Sequence, residues 1–316
     1  FLYDLLGASQ EHKIKPKNLI KKEMIEIGEK FGDDRKTKVM KRGVKNVSPE
    51  DLIPDEDSVL VLTKGGYIKR TNPNEYKQQK RGGVGVVDLD TKDEDFVKMF
   101  LHTTTHADLL FFTDAGKVYQ IKMYDIPEGR RATKGKSIMN FISLSPEEEV
   151  TSVIPMPKEL KNSENLSVMM ITREGVAKKV DAKSFHDVRR SGIIAISLAK
   201  GDRLVNATFV DKGDEMIIVS SEGQSIRFKE SDVRQMGRTA AGVNCLTLKT
   251  KDYVVGTDVI HKGGTAKTLL VFSEQGYGKQ TDLKEYKVQK RGGSGIKTAK
   301  VTDKIGRLIS ACVITD

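Results

Sequence analysis

The sequence predicts an all-β fold: a propeller-like array of four-stranded antiparallel blades, five repeats long, preceded by a short N-terminal helix. Three observations predict it. First, an apolar run ending in Ser or Thr, then two residues, then Gly, occurs five times. The runs are 59–63 before Gly66, 109–113 before Gly116, 168–172 before Gly175, 216–220 before Gly223 and 269–273 before Gly276. Their period of roughly 50 residues suits propeller blades and exceeds that of a leucine-rich repeat. Second, each of these glycines is followed by another at nearly fixed distance: Gly85, Gly135, Gly192, Gly242 and Gly295. The gap is 19 residues in four repeats and 17 in the third. Third, a heptapeptide occurs twice. Gln79-Lys80-Arg81-Gly82-Gly83-Val84-Gly85 returns as Gln289-Lys290-Arg291-Gly292-Gly293-Ser294-Gly295, each copy after Glu-Tyr-Lys.

Residues 16–31 carry apolar side chains at Leu19, Ile20, Met24, Ile27 and Phe31, which is helical spacing, and Gly32 suits a C-terminal cap. Residues 1–32 form this helical segment. Residues 33–57, polar and holding Pro49 and Pro54, read as a linker. The repeats then run about 58–105, 106–158, 166–214, 215–264 and 267–316, with a loose insertion around 161–164. Within a repeat the order is apolar strand, tight turn, basic strand, Arg-bearing loop, strand, loop, strand. In the second repeat the strands are expected at 109–113, 117–122, 137–144 and 150–156. The first is a continuous apolar run, as for a strand buried on both faces. Asp114-Ala115-Gly116-Lys117 signals the hairpin turn.

Charge points to a polyanion. The net charge is +10, from 54 Lys and Arg against 44 Asp and Glu. Acids gather between repeats, as in Asp93-Glu94-Asp95 and Glu147-Glu148-Glu149. Basic residues gather in the loops before the second glycine, where glycines let backbone N–H groups approach an anion. One charged loop is usually just solvated; five in register favour DNA or RNA. A start at Phe1 marks the chain as a fragment, and no apolar run approaches the ~18 residues of a membrane span. Cys245 and Cys312 sit in apolar patterns and read as buried free thiols, so the cytoplasm is the default location. No cofactor or metal site is expected. Gly129 to Ser137 has five residues between its glycines, where a phosphate-binding P-loop has four, and it leads into a strand. His102 and His106 flank threonines and have no Cys partners for zinc. No nucleophile–base–acid set can be read out.

The residues also carry a resemblance. The box Gln79–Gly85 resembles the hallmark of the DNA gyrase A C-terminal domain family, Gln-(Arg/Lys)-Arg-Gly-Gly-(Arg/Lys)-Gly, and fits at six of seven positions. Val84 departs where a basic residue is usual. Flanking matches include Tyr67-Ile68-Lys69-Arg70, Lys92-Asp93-Glu94-Asp95-Phe96, Ile126-Pro127-Glu128-Gly129 and Gln235-Met236-Gly237-Arg238. Residues 31–37 look like the family's junction with the breakage–reunion core. The resemblance covers essentially the whole chain. It implies a β-pinwheel whose neighbouring blades exchange strands. It further implies DNA bent around a basic outer rim, anchored by the box, so that an ATP-driven type IIA topoisomerase is biased towards negative supercoils. The helical segment would close the core, and the catalytic tyrosine would belong to that core. The rest of the gyrase A subunit, with the gyrase B subunit, would be partners, and the fragment itself monomeric. The family usually has six blades; a sixth would lie beyond Asp316.

Candidate contacts to duplex DNA, independent of base sequence, follow from the basic loops and the box. They are Gln79, Lys80, Arg81, Gly82, Gly83 and Gly85, then Lys69, Arg70, Arg130, Arg131, Lys178, Lys179, Arg189, Arg190, Arg227, Arg238, Lys290 and Arg291. Tyr76 and Gln79 could equally brace the loop. Two other readings stand beside this one. A topoisomerase IV A-type domain would select DNA crossings instead of wrapping. A protein-interaction propeller would bind peptides, although Trp is absent.

Overall fold

A computed structural model describes residues 14–33, 36–37, 49–76, 95–161 and 163–315. The chain divides into two compact units, residues 1–52 and 53–316. In the first, one helix runs Ile14–Phe31, its Ile20, Met24, Ile27 and Phe31 exposed. None of the described helices is long and apolar enough to cross a membrane.

The second unit is a five-bladed array of antiparallel sheets. Every repeat supplies three long strands. These are Asp57–Thr63, Tyr67–Thr71 and Val97–Thr104 in the first, and Asp108–Thr113, Lys117–Lys122 and Val150–Met156 in the second. The third has Ser167–Thr172, Val176–Asp181 and Leu204–Val210; the fourth has Glu215–Ser220, Gln224–Lys229 and Val254–Ile260. The fifth has Ala266–Ser273, Gly278–Asp282 and Leu308–Thr315. The first strand of each lies between the other two. It is buried on both faces in repeats one to four, which explains the continuous apolar run. The hairpin turn sits where Gly was expected: the Gly116 N–H donates to Thr113 O at 2.9 Å with φ at 75°.

The fourth strand of a blade comes from the next repeat. Lys136–Ser137 pairs with Tyr67–Thr71, Ile193–Ile194 with Lys117–Lys122, Val243–Asn244 with Val176–Asp181, and Ile296–Lys297 with Gln224–Lys229. This corrects the expectation of a strand over 137–144 within the second repeat. Only two residues pair, and they pair with the preceding blade. Then a 3-10 turn, Ile138–Asn140, carries Ile138 and Ile142 back into the core between blades. Among the described residues the second glycines, Gly135, Gly192, Gly242 and Gly295, stand at the crossing. A Cβ on Gly295 would lie 2.2 Å from Ser225 O of the preceding blade, and one on Gly135 would lie 2.5 Å from Ile68 O. One on Gly242 would likewise lie 2.7 Å from Ala177 O, whereas Gly192, in the repeat with the 17-residue gap, packs against the Tyr119 ring.

The short exchanged strand is the outer edge of a blade, and the last long strand of each repeat is its hub edge. Hub strands touch directly. Ser152 Oγ donates to Asn206 Oδ1 at 2.7 Å, Asn206 Nδ2 to Thr257 O at 3.1 Å, and the Val313 N–H to Asp258 Oδ2 at 2.8 Å. Apolar clusters fill each space between neighbouring blades, the largest between the second and third.

Candidate nucleic-acid interface

In repeats two to five the basic loop runs directly into the exchanged outer strand, so its tip lies on the perimeter of the array. Acids are largely used elsewhere, as staples of the hairpin turns. Asp252 accepts from both Ser220 and Ser221 hydroxyls, at 2.7 and 2.8 Å, and from the Glu222 N–H at 3.0 Å. Asp202 accepts from the Glu174 N–H and Asp95 from the Gly65 N–H. Burial alone would raise the Asp95 carboxyl, but the Gly65 N–H, the Thr63 hydroxyl and the Phe96 N–H outweigh it and hold it below its ordinary range. The tip of the fourth repeat, 234–242, and the fifth, 287–297, contain no acid at all.

The sequence-predicted residues separate into three groups by what their side chains touch. Arg130, Arg189, Arg238 and Lys290 are exposed on the tips. A second group braces one tip against the preceding repeat. Arg131 donates from its N–H to Glu75 Oε2 at 2.7 Å and from Nη1 to Glu75 O at 3.1 Å. Arg190 pairs with Asp125 at 2.8 Å while staying largely exposed. Arg291 donates to Asp232 O and Asn244 O, both at 2.8 Å.

The third group departs from the expectation of phosphate contact, because its charged ends are spent in the seam between blades. Arg70 Nε donates to Ile126 O at 2.8 Å, Lys179 Nζ to Glu230 O at 3.1 Å, and Arg227 Nη1 to Leu283 O at 2.8 Å. All three occupy the fourth position after the turn glycine and hold the arriving loop of the next repeat. In the second blade Gln120 does the same through His186 O and the Val188 N–H, so the position needs reach and donors more than charge. Lys69 and Lys178, one position earlier, are 1% and 0% exposed. Lys69 Nζ donates to Arg130 O at 3.2 Å and also to Arg131 O. Lys178 Nζ donates to Ala195 O at 2.7 Å and also to Arg238 O.

Burial, and then the neighbouring Arg238 guanidinium, push the Lys178 ammonium down to about 8. A lysine depressed in the folded state keeps its proton longer when unfolded. Between about 8 and its ordinary 10.5, the unfolded chain therefore binds more protons, and stability rises with pH. Relative to Lys178→Met, the chain is thus expected to gain stability as pH rises through that window. Denaturant titrations of both at several pH values check it; a pH-independent difference would show that Lys178 does not titrate there.

The residues Gln79, Lys80, Arg81, Gly82, Gly83 and Gly85 lie outside the described residues, so the repeat at Gln289–Gly295 stands as the visible copy of the motif. Sequence reasoning missed several exposed basic residues on the same loops: Lys136, Arg234, Lys287 and Lys297. It also missed Lys134, stacked 3.8 Å from the Tyr67 ring centroid. The glycine register would have found them, since all fall within eight residues of a second glycine. Cys245 is a buried free thiol as expected, pushed up to about 12 by burial, but Cys312, expected to be buried, is only half-buried. Among the described residues no group of His, Cys, Asp and Glu is arranged to hold a metal ion.

Comparison with known proteins places this geometry. The family model described as "DNA gyrase C-terminal domain, beta-propeller" matches residues 57–99, 107–155, 167–211, 214–261 and 267–314, one match per blade. The DNA gyrase A subunit of Staphylococcus aureus (strain COL) is 39% identical over 297 residues, covering 94% of this chain and 33% of that protein. The chain thus spans about a third of the length of the curated relatives it matches. Among solved structures, a DNA gyrase A C-terminal domain aligns with a TM-score of 0.68 at 30% identity, over 82% of this chain and 83% of that one. A DNA topoisomerase IV C-terminal domain aligns with the same TM-score at 27% identity, over 84% and 79%. Five blades joined by four strand exchanges, and five matched segments, lead to one conclusion: the chain belongs to the DNA gyrase A C-terminal domain family.

Proposed function

We propose that the chain is a non-catalytic domain that binds and bends duplex DNA around its outer rim. In this reading it works in the cytoplasm within a DNA gyrase, together with the rest of the gyrase A subunit, and with the gyrase B subunit. Wrapping would present a neighbouring DNA segment to the enzyme's gate and so bias ATP-driven strand passage towards negative supercoils. The observation that carries the reading is positional. Exposed basic residues stand on the perimeter tip of every described loop; the fourth and fifth tips hold no acid, and Glu128 and Asp187 flank the second and third.

The physics suits sequence-independent binding. Bending a 20–30 bp site by 40–90° costs roughly 1–6 kcal/mol, and phosphate contacts with counterion release can offset it. Lys and Arg on such tips position phosphates and read no base edge. With Arg130, Arg189, Arg238 and Lys290 as a minimum of four contacts, log K should fall with log salt at a slope of about −3.6. Affinity should then drop by about a hundred-fold between 50 and 200 mM salt.

The test is topological. The chain is incubated with nicked circular DNA, the nick is ligated, and the linking number is read on a gel at low and high salt. A positive shift that fades with salt is expected. Binding without a shift would favour a crossing-selecting domain of the topoisomerase IV type, a reading that the departure at Val84 keeps in play. No binding would overturn the rim reading.

A further inference from the structure

The two buried lysines do more than fill a seam: they set which way the tip peptides face. The tip of the second repeat is a β-turn over 130–133, closed by the Thr133 N–H to Arg130 O at 3.0 Å. The tip of the fourth is the same turn over 237–240, closed by the Ala240 N–H to Gly237 O at 3.1 Å. In both, the carbonyl of the second turn residue, Arg131 or Arg238, is drawn inward by the buried ammonium of Lys69 or Lys178. In a planar trans peptide the C=O and the N–H point in opposite directions. The N–H groups of Ala132 and Thr239 therefore face outward, and among the described residues neither has an intramolecular acceptor. Both residues are exposed.

The fifth repeat is a natural control. The residue matching Lys69 and Lys178 in the blade below it is Ile226, which can donate nothing. There the corresponding peptide is turned over. The Gly292 N–H points inward to Cys245 O at 2.8 Å, and Gly292 has φ at 84°. The two turns differ as type I and type II do, by a flip of the central peptide, and only the flipped form requires Gly at its third residue. A buried ammonium selects one form; a glycine permits the other.

We infer that the Ala132 and Thr239 N–H groups, beside the exposed Arg130 and Arg238 side chains, form two phosphate subsites, and that Lys69 and Lys178 are the positioning residues that create them. The inference rests on the rim reading above and deepens it. An outward N–H next to a guanidinium offers a phosphate two donors in one place, and a buried lysine holds them at fixed geometry. The fifth tip offers a basic side chain without that N–H.

The test is an amide-resolved NMR titration of the chain with a short synthetic duplex. The Ala132 and Thr239 amides are expected to shift and saturate with the DNA, while Gly292 stays still. In Lys178→Met, affinity should fall by about ten-fold, the Thr239 response should vanish, and the Ala132 response should remain. A merely structural role for Lys178 would not separate the two amides. If Lys178→Met fails to fold, the wild-type titration alone decides. DNA binding with both wild-type amides unmoved would overturn the subsites and leave the rim reading intact. Absence of any DNA binding would overturn the rim reading itself, and the subsites with it.

Discussion

Replacing Lys80 and Arg81 with Ala in the assembled gyrase is expected to abolish negative supercoiling and leave ATP-independent relaxation near its normal rate. The reason is the division of labour visible in the second copy of the motif. There Lys290 is exposed, while Arg291 reaches back to Asp232 O and Asn244 O and fixes the tip. The Gly292 N–H and carbonyl and the Gly293 carbonyl bind Cys245 and Thr247, so the glycines serve docking as well as turning. If the first copy divides its labour as the second does, losing the pair is expected to remove both a phosphate contact and the brace that aims it. The consequence falls on wrapping, because wrapping needs several contacts held at once against the elastic cost of the bend. Relaxation needs only strand cleavage and passage, which no residue of this chain is proposed to perform. Linking-number assays with and without ATP separate the two activities. Supercoiling at the normal level in the double variant would remove the box from the mechanism.

Much of the fold was legible because its signals are short-range and repeated. The buried runs such as 109–113, the hairpin glycines and the basic second strands each repeat once per blade, and the structure places them as read. The family resemblance implied that blades exchange strands; the local pattern did not reveal which strand crosses. Lys136–Ser137 is followed by Ile138-Met139-Asn140-Phe141, apolar enough to extend a strand on local pattern. The close approach of Gly135 to Ile68 O decides otherwise, and no local propensity encodes a contact 67 residues away in the chain.

The interface was legible as a place and much less so as a set of side chains. A lysine after a turn glycine has the same letter whether its ammonium points to water or to a carbonyl. Lys117 is partly exposed and paired with Glu148, whereas Lys178 is wholly buried. The distinguishing feature is strand phase. Lys69 and Lys178 fall on the face turned to the next blade, three residues after their turn glycines, where the second and fourth blades hold the buried Tyr119 and Ile226. In the first four blades a basic residue in this column is a seam residue, whereas Lys279 at the same place in the fifth blade is exposed, so the comparison across repeats identifies the column but not every member's burial.

The same register makes the second large effect a matter of one methyl group. Gly295→Ala is expected to destabilise the second unit far more than Gly276→Ala, though both glycines have positive φ, 69° and 77°. At Gly276 nothing lies within 4 Å of an added Cβ, so the cost is the left-handed backbone alone, about 1–2 kcal/mol. At Gly295 the Cβ would meet Ser225 O at 2.2 Å and Ser225 C at 2.8 Å. Neither can yield, because Ser225 is buried in the strand Gln224–Lys229 and paired with Ile296 of the exchanged strand. Relief requires that exchanged strand to separate, which adds about 1–3 kcal/mol of overpacking to the backbone cost. The fourth blade would then lose its outer edge and the fifth its hold on the fourth. Urea titrations of the two variants measure the difference directly; equal midpoints would show that the crossing glycine is not what locks one blade to the next.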